Sequence, residues 1–166
     1  MNLKKLMFMK AASGGNAPTP IAFAYKLSSY TSGTGSGDSR RDQIENGNGP
    51  YAAGYGTSQT DLPIRNATGD GETYYPILLN GASKIYFDVP DNIKVTVFFV
   101  NTQEEDTTYN CAKWVGGDKN AYDSTVTNGP REVAVPEGAD AFTFTLYYRS
   151  NTVTDEIASA VTITAT

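Results

Sequence analysis

The chain has 166 residues, with 13 Lys and Arg against 18 Asp and Glu, a net charge of −5 and no histidine. That length fits one domain. The acidic balance excludes the Lys/Arg surface that nucleic acid or an anionic membrane requires, and the lack of histidine excludes Ser-His-Asp and Cys-His catalysis and histidine-ligated metals.

Residues 1–20 read as an arm and linker, and residues 21–166 as the folded domain. In the arm, Lys4 and Lys5 precede an apolar stretch of residues 6–9 that Lys10 ends. A secretory signal needs an apolar region of roughly 7–15 residues, so the segment falls short of one. Leu3, Leu6, Phe8 and Met9 are apolar groups on a segment too short to fold alone, tied on by SGGNAPTP. Such a tail buries its apolar groups against a partner. No apolar run approaches the roughly 18 residues of a membrane span. Residues 21–30 alternate as the first strand. Residues 31–49 form a long polar loop, and YAAGY (51–55) and residues 62–64 read as weak strands. Residues 74–79 read as a short strand closed by Asn80-Gly81, the dipeptide of a hairpin turn with positive φ.

From residue 84 onward the pattern strengthens. KIYFDVP, IKVTVFFV, REVAVP, FTFTLYYR and AVTITAT place apolar residues at every second position, split by Pro, Gly, Asn and Asp. Period two marks strands with one buried face, and several in succession predict an antiparallel sandwich or barrel. Phe87, Val97, Phe142, Phe144 and Leu146 are the expected core. Residues 102–109 read as an acidic loop, 111–115 as a strand, and 116–120 and 136–140 as turns. Thr154 or Asp155 is the expected N-cap of a helical turn within residues 152–158.

The supply of catalytic side chains is poor. Cys111, the single cysteine, allows no disulfide, fits a reducing cytoplasm and reads as a packed thiol beside Trp114. The carboxylate pairs at 104–106 and 155–156 lack the apolar pocket that raises one pKa. Gly33, Gly35 and Gly37 do not sit between a strand and a helix, as a phosphate loop requires. The sequon at Asn66 reads as turn composition. No EF-hand spacing occurs and no metal or cofactor is expected; Asp70 and Asp118 mark the loops where a structural calcium ion would sit. The aromatics are the stronger candidates: Tyr74-Tyr75, Tyr109, Trp114, Tyr122 and Tyr147-Tyr148 offer flat apolar faces with polar edges, suited to sugar stacking or a subunit contact. Trp114, Tyr109 and Tyr122, with the polar Asn110, Asp118 and Asn120, are the expected glycan contacts, gathered on loops at 102–124.

Within residues 82–166, KIYFDVPDNIKVTVFFVN, Trp114-Val115-Gly116-Gly117, VPEGA at 135–139, FTFTLYYR and the turn at 154–159 together resemble a family of β-sandwich modules in phage and prophage virion proteins. The resemblance implies a jelly-roll-like, carbohydrate-binding-like sandwich with an extended N-terminal arm. It also implies a non-enzymatic role as a head fibre, capsid decoration or tail attachment component. The implied partners are other copies of the chain in a homo-oligomer, most simply a trimer, and capsid or tail proteins bound through the arm. Cell-surface or mucin glycans complete the implied set. The alternative is a stand-alone carbohydrate-binding module.

Overall fold

The computed structural model describes residues 17–27, 51–64, 73–123, 131–148 and 153–166. Within them lie ten strands and a short helix: β1 (Thr19–Pro20), β2 (Ala24–Leu27), β3 (Tyr51–Tyr55), β4 (Ile77–Leu78), β5 (Lys84–Asp88), β6 (Ile93–Asp106), β7 (Cys111–Asp123), β8 (Arg131–Ala134), β9 (Ala141–Tyr148), α1 (Asp155–Ser159) and β10 (Thr162–Ala165). A four-stranded sheet runs β1-β10-β5-β8. A six-stranded sheet runs β2-β3-β9-β6-β7, with β4 also paired to β9. All pairings are antiparallel. With β2 and β4 set aside, the other eight strands, renumbered in chain order, lie 1-8-3-6 and 2-7-4-5. That is the jelly-roll arrangement of two packed sheets.

The order arises because the chain changes sheet at most of its turns. Residues 79–83 carry it from β4 to β5, on the other sheet. Asn80 and Gly81 both have positive φ, and Ala82 N–H donates to the Leu79 carbonyl at 3.0 Å. Asn-Gly therefore makes the turn expected of it, but as a crossover between layers rather than a hairpin. Asn92, also at positive φ, helps return the chain to the six-stranded sheet at β6. The expected first strand is likewise divided: Ile21 N–H donates to Ile163 in one sheet, whereas Ala24–Leu27 pairs with β3 in the other.

The core is the alternation seen in the sequence. Ile85 and Phe87 face Val95, Val97, Phe142, Phe144 and Leu146, all 0% exposed. Five phenylalanines form a chain of ring contacts through it. Phe23 meets Phe144 edge-on at 5.2 Å, Phe144 meets Phe87 at 5.5 Å, Phe87 meets Phe142 at 6.4 Å, and Phe142 meets Phe99 at 6.3 Å. Gly54 makes room for this chain. A Cβ there would lie 2.1 Å from Phe144 Cε1, so the ring crosses the backbone of β3 where only hydrogen fits. The glycine that helps make YAAGY a weak strand pattern is the residue that admits the ring.

Two expected loops are strand. β6 continues through Asp106 and β7 through residues 116–120, with three register shifts between them. Bulges break the period of two, which is why the sequence reads as loop there. Gly117 approaches the partner backbone too closely for a side chain, since its Cβ would lie 2.6 Å from the Val97 carbonyl oxygen. At the other irregularity, the Asp140 carboxylate accepts from Thr102 N–H at 2.8 Å and Thr102 Oγ1 at 2.6 Å. Residues 62–64 are not strand; Ala112 N–H donates to the Pro63 carbonyl and Ile64 N–H to Tyr74. The strand expected over 74–79 contracts to β4 and an isolated bridge at Tyr74. The helical turn forms as expected, with Thr154 Oγ1 accepting from Ile157 N–H at 3.4 Å. Leu3, Leu6, Phe8 and Met9, the polar loop at 31–49, Asn66 and Asp70 lie outside the described residues.

Phe144→Ala is expected to cost about 3–5 kcal/mol, the range for emptying a buried aromatic site. Gly54→Ala is expected to cost about 1–3 kcal/mol by overpacking. In a Phe144→Leu background the cost of Gly54→Ala falls by at least about 0.5 kcal/mol, because the two sites are in contact. Denaturant melts of the single and double variants measure this. Additive costs would mean the ring does not lie over Gly54.

Candidate functional site

The six expected glycan contacts do not gather at one place. Tyr109, 51% exposed, and Asn110, at positive φ, share the tip of the β6–β7 hairpin. Asp106 fixes that tip, accepting from Thr108 N–H through its side chain and from Tyr109 N–H through its carbonyl. Trp114 lies on β7 opposite Val100, its ring edge-on to Phe98 at 4.8 Å. Asp118 pairs in register with Val97 and reaches across the sandwich edge to Arg131 of β8, 3.6 Å away. Asn120 and Tyr122 sit further along β7, Tyr122 opposite Val95; their side chains lie outside the described residues. At about 3.3 Å per ladder step, and with the bulged residues of β7 left out, Tyr122 lies roughly 30 Å from the hairpin tip. No small ligand bridges that span. The expectation placed these residues on a loop, and the continuous strand β7 spreads them out.

The structure brings together a different aromatic group. In β2 and β3 the register Ala24↔Tyr55, Tyr25↔Gly54 and Lys26↔Ala53 sets two faces. Gly54 lies against the core ring of Phe144, so Tyr25 shares the inward face, and Lys26 and Tyr55 share the outward one. Tyr25 packs against the core edge, and its hydroxyl donates to Asp155 Oδ1 of α1 at 3.1 Å. Burial, then the hydrogen bond and charge of Asp155, raises the Tyr25 pKa.

Beyond Tyr55 the chain leaves the sheet at Gly56, whose N–H donates to the Tyr75 carbonyl at 2.8 Å. Residues 57–64 and Tyr74 then cover part of the outer face. Tyr55, Ile64, Val100, Ala112 and Ala141 form a second, smaller core there, with Leu62, Tyr74, Phe98 and Trp114 packed around it. Tyr74 stacks on Tyr55 at 4.3 Å and 28°. The Lys26 ammonium donates to the Tyr74 hydroxyl and lies 5.1 Å from its ring centre. A cation bonded to the hydroxyl reaches that distance from the centre only near the ring plane, beyond the oxygen. Lys26 thus sits off the edge of the ring and not over its face.

Ala24, Tyr25, Lys26, Tyr55, Gly56, Thr73, Tyr74 and Tyr75 line an open groove of about 380 Å³. A second cavity, about 460 Å³, lies on the other side of Gly56, between β1, β4 and the end of β10. Its lining offers hydroxyl and amide groups, from Thr19, Thr57, Ser58 and Asn80, and no titratable side chain. Among the described residues no three Cys, Asp or Glu side chains converge as metal ligands. The groove was hidden because its lining comes from residues 24–26, 55–56 and 73–75, far apart in sequence. The adjacent pair Tyr74-Tyr75 was the one visible signal.

Trp114 is the sole tryptophan, so its emission reports the Phe98 contact. Phe98→Ala is expected to shift that emission to the red and to cost about 1 kcal/mol from the edge-to-face contact alone. An unchanged spectrum would place Trp114 elsewhere.

Comparison with protein-family models, curated proteins and solved structures finds no match to this chain.

Proposed function

We propose that the chain is a non-enzymatic structural protein of a phage particle: a head fibre, capsid decoration or tail attachment component. It forms a homotrimer, docks on the capsid or tail through residues 1–18, and turns its sandwich toward host or environmental glycans. The observation that carries this reading is the strand order 1-8-3-6 over 2-7-4-5. Viral capsid and lectin domains share that architecture. The support is analogy at the level of fold, because one architecture serves many activities. The sequence motifs that resemble virion modules add to it. They fall within β5–β10, the part of the chain that supplies most of the two sheets. A buried Cys111 thiol, with no disulfide to form, agrees with assembly in a bacterial cytoplasm.

A stand-alone carbohydrate-binding module is the second reading, and the tyrosine groove favours it. A lectin of that kind works as a single chain, whereas a virion component has to assemble.

Native mass spectrometry of the full chain separates the two. The expected species is three times the 17.8 kDa chain mass. Deleting residues 1–18 is expected to leave the thermal midpoint of the sandwich nearly unchanged and to abolish oligomerisation or particle incorporation. A monomeric full chain, or a truncated chain that still assembles, contradicts the virion reading.

A further inference from the structure

We propose that the cavity between β1, β4 and the end of β10 binds a neutral hexose unit of a glycan, held through two hydroxyls on adjacent ring carbons. The inference rests on the reading of the chain as a module that faces glycans, and it names the site and the ligand class.

The cavity is a missing lane in the six-stranded sheet. β3 and β4 lie on the same side of β9, and β2 lies beyond β3. The residues before β2 would run beside β4 if they stayed in this sheet. They leave it instead, and Ile21 N–H donates to the Ile163 carbonyl of the other sheet at 2.9 Å. The edge of β4 away from β9 is therefore open, and Leu78 lines the cavity there.

That edge presents one donor and one acceptor. Successive residues of a strand turn their N–H and C=O to opposite edges. Leu79 N–H donates to the Asp140 carbonyl on the β9 side, so the N–H and C=O of Leu78 point the other way. Pro76 has no N–H, and Gly56 packs so close to its carbonyl that a Cβ there would lie 2.2 Å from the oxygen. Among the described residues no hydrogen bond takes the Leu78 N–H or carbonyl. In a sheet the partner of such a pair is another residue, whose N and O are joined through two carbons. Two hydroxyls on adjacent ring carbons have the same connectivity, and each donates or accepts. An extended peptide needs a run of such pairs; β4 supplies one, the number that a diol uses.

The lining sets the ligand class. Thr19, Thr57 and Ser58 add hydroxyls and Asn80 an amide, while Pro20, Ala22 and Pro76 give apolar surface for the C–H face of a ring. No lining side chain carries a charge. A charged sugar would lose hydration there and gain no counter-charge. The volume, about 460 Å³, is that of a small-ligand site.

Titration of the full chain followed by amide NMR tests this. The probes are trisaccharides ending in glucose, galactose or mannose, each with two matched forms. In one the terminal ring is 3-deoxy and so has no adjacent pair of hydroxyls; in the other it is a uronate. At least one neutral probe is expected to bind and to shift the Leu78 amide. Its 3-deoxy and uronate forms are each expected to bind about tenfold more weakly, the effect of one polar group left unpaired. Added salt is expected to leave the neutral probe unaffected. Leu78→Pro removes the N–H on the edge that β9 does not use. It is expected to bring the neutral and 3-deoxy probes to the same affinity, whereas Leu78→Ala keeps them apart. Ala22→Trp, at an exposed position, is expected to fill the cavity and remove binding from a folded protein.

Equal binding of the neutral and 3-deoxy probes by the wild type, a uronate that binds as tightly, or binding that survives Ala22→Trp overturns the inference. So does no binding to any probe, or a capped neutral tetrapeptide that binds more tightly than the sugars. If the trimer is intact in those cases, the virion reading stands without this site. A monomer that binds the neutral hexose and shifts the Leu78 amide supports the site and overturns the virion reading.

Discussion

The sandwich depends on the contact of Phe87 with Phe142 and Phe144. Phe87 is on β5, in the four-stranded sheet; the other two are on β9, in the six-stranded sheet. Through these rings the two layers meet face to face. Phe23 and Phe99 extend the contact at its ends, so five of the seven phenylalanines in the chain belong to one aromatic row. Strands at the centre of each sheet supply it: β5 lies between β10 and β8, and β9 between β3 and β6. Burial of large rings outweighs the other terms here, because the surface ion pairs, such as Lys84 with Glu132 at 2.8 Å, are half exposed and screened.

The position of the groove follows from this row. Phe144 needs Gly54 in the neighbouring strand β3. Tyr25 pairs with Gly54 and turns inward beside the core, while Tyr55 and Lys26 turn outward. The chain cannot continue as β3 past Gly56, since residues 75–78 come in along β9 beyond it. The segment between them folds over the outer face and lays Tyr74 on Tyr55. The aromatic site is thus assembled at the place where one strand gives up its lane to another.

The two layers were legible in the sequence wherever a strand is regular. Ile85, Phe87, Val95, Val97, Phe142, Phe144 and Leu146 announced their faces by period two alone. The strand order was not legible, because a period says which face is buried and nothing about the neighbour. Asn80-Gly81 shows the limit: its positive φ values were readable, but whether the turn joined partners in one sheet or crossed between sheets was decided by packing. β6 and β7 were shortened in the reading because register shifts at residues 102–104, 115 and 119–121 interrupt alternation. The same irregularity hid the setting of the expected glycan contacts, since Trp114 and Asp118 looked like loop residues and belong to a strand. The outer cluster joins Lys26, Tyr55 and Tyr74, which only the folded register brings near one another.

The row of phenylalanines joins the central strands β5 and β9, and through Phe144 and Gly54 it reaches the β2–β3 edge where the groove lies. The direct measurement of that claim is amide hydrogen exchange on the full chain under native conditions. Amides of β9, β5 and the first half of β6 are expected to exchange most slowly and together, at the rate of global unfolding. Those of the edge strand β8 and of the hairpin tip at residues 107–110 are expected to exchange far faster. Exchange in β9 as fast as in β8 would contradict a fold organised on Phe87, Phe142 and Phe144.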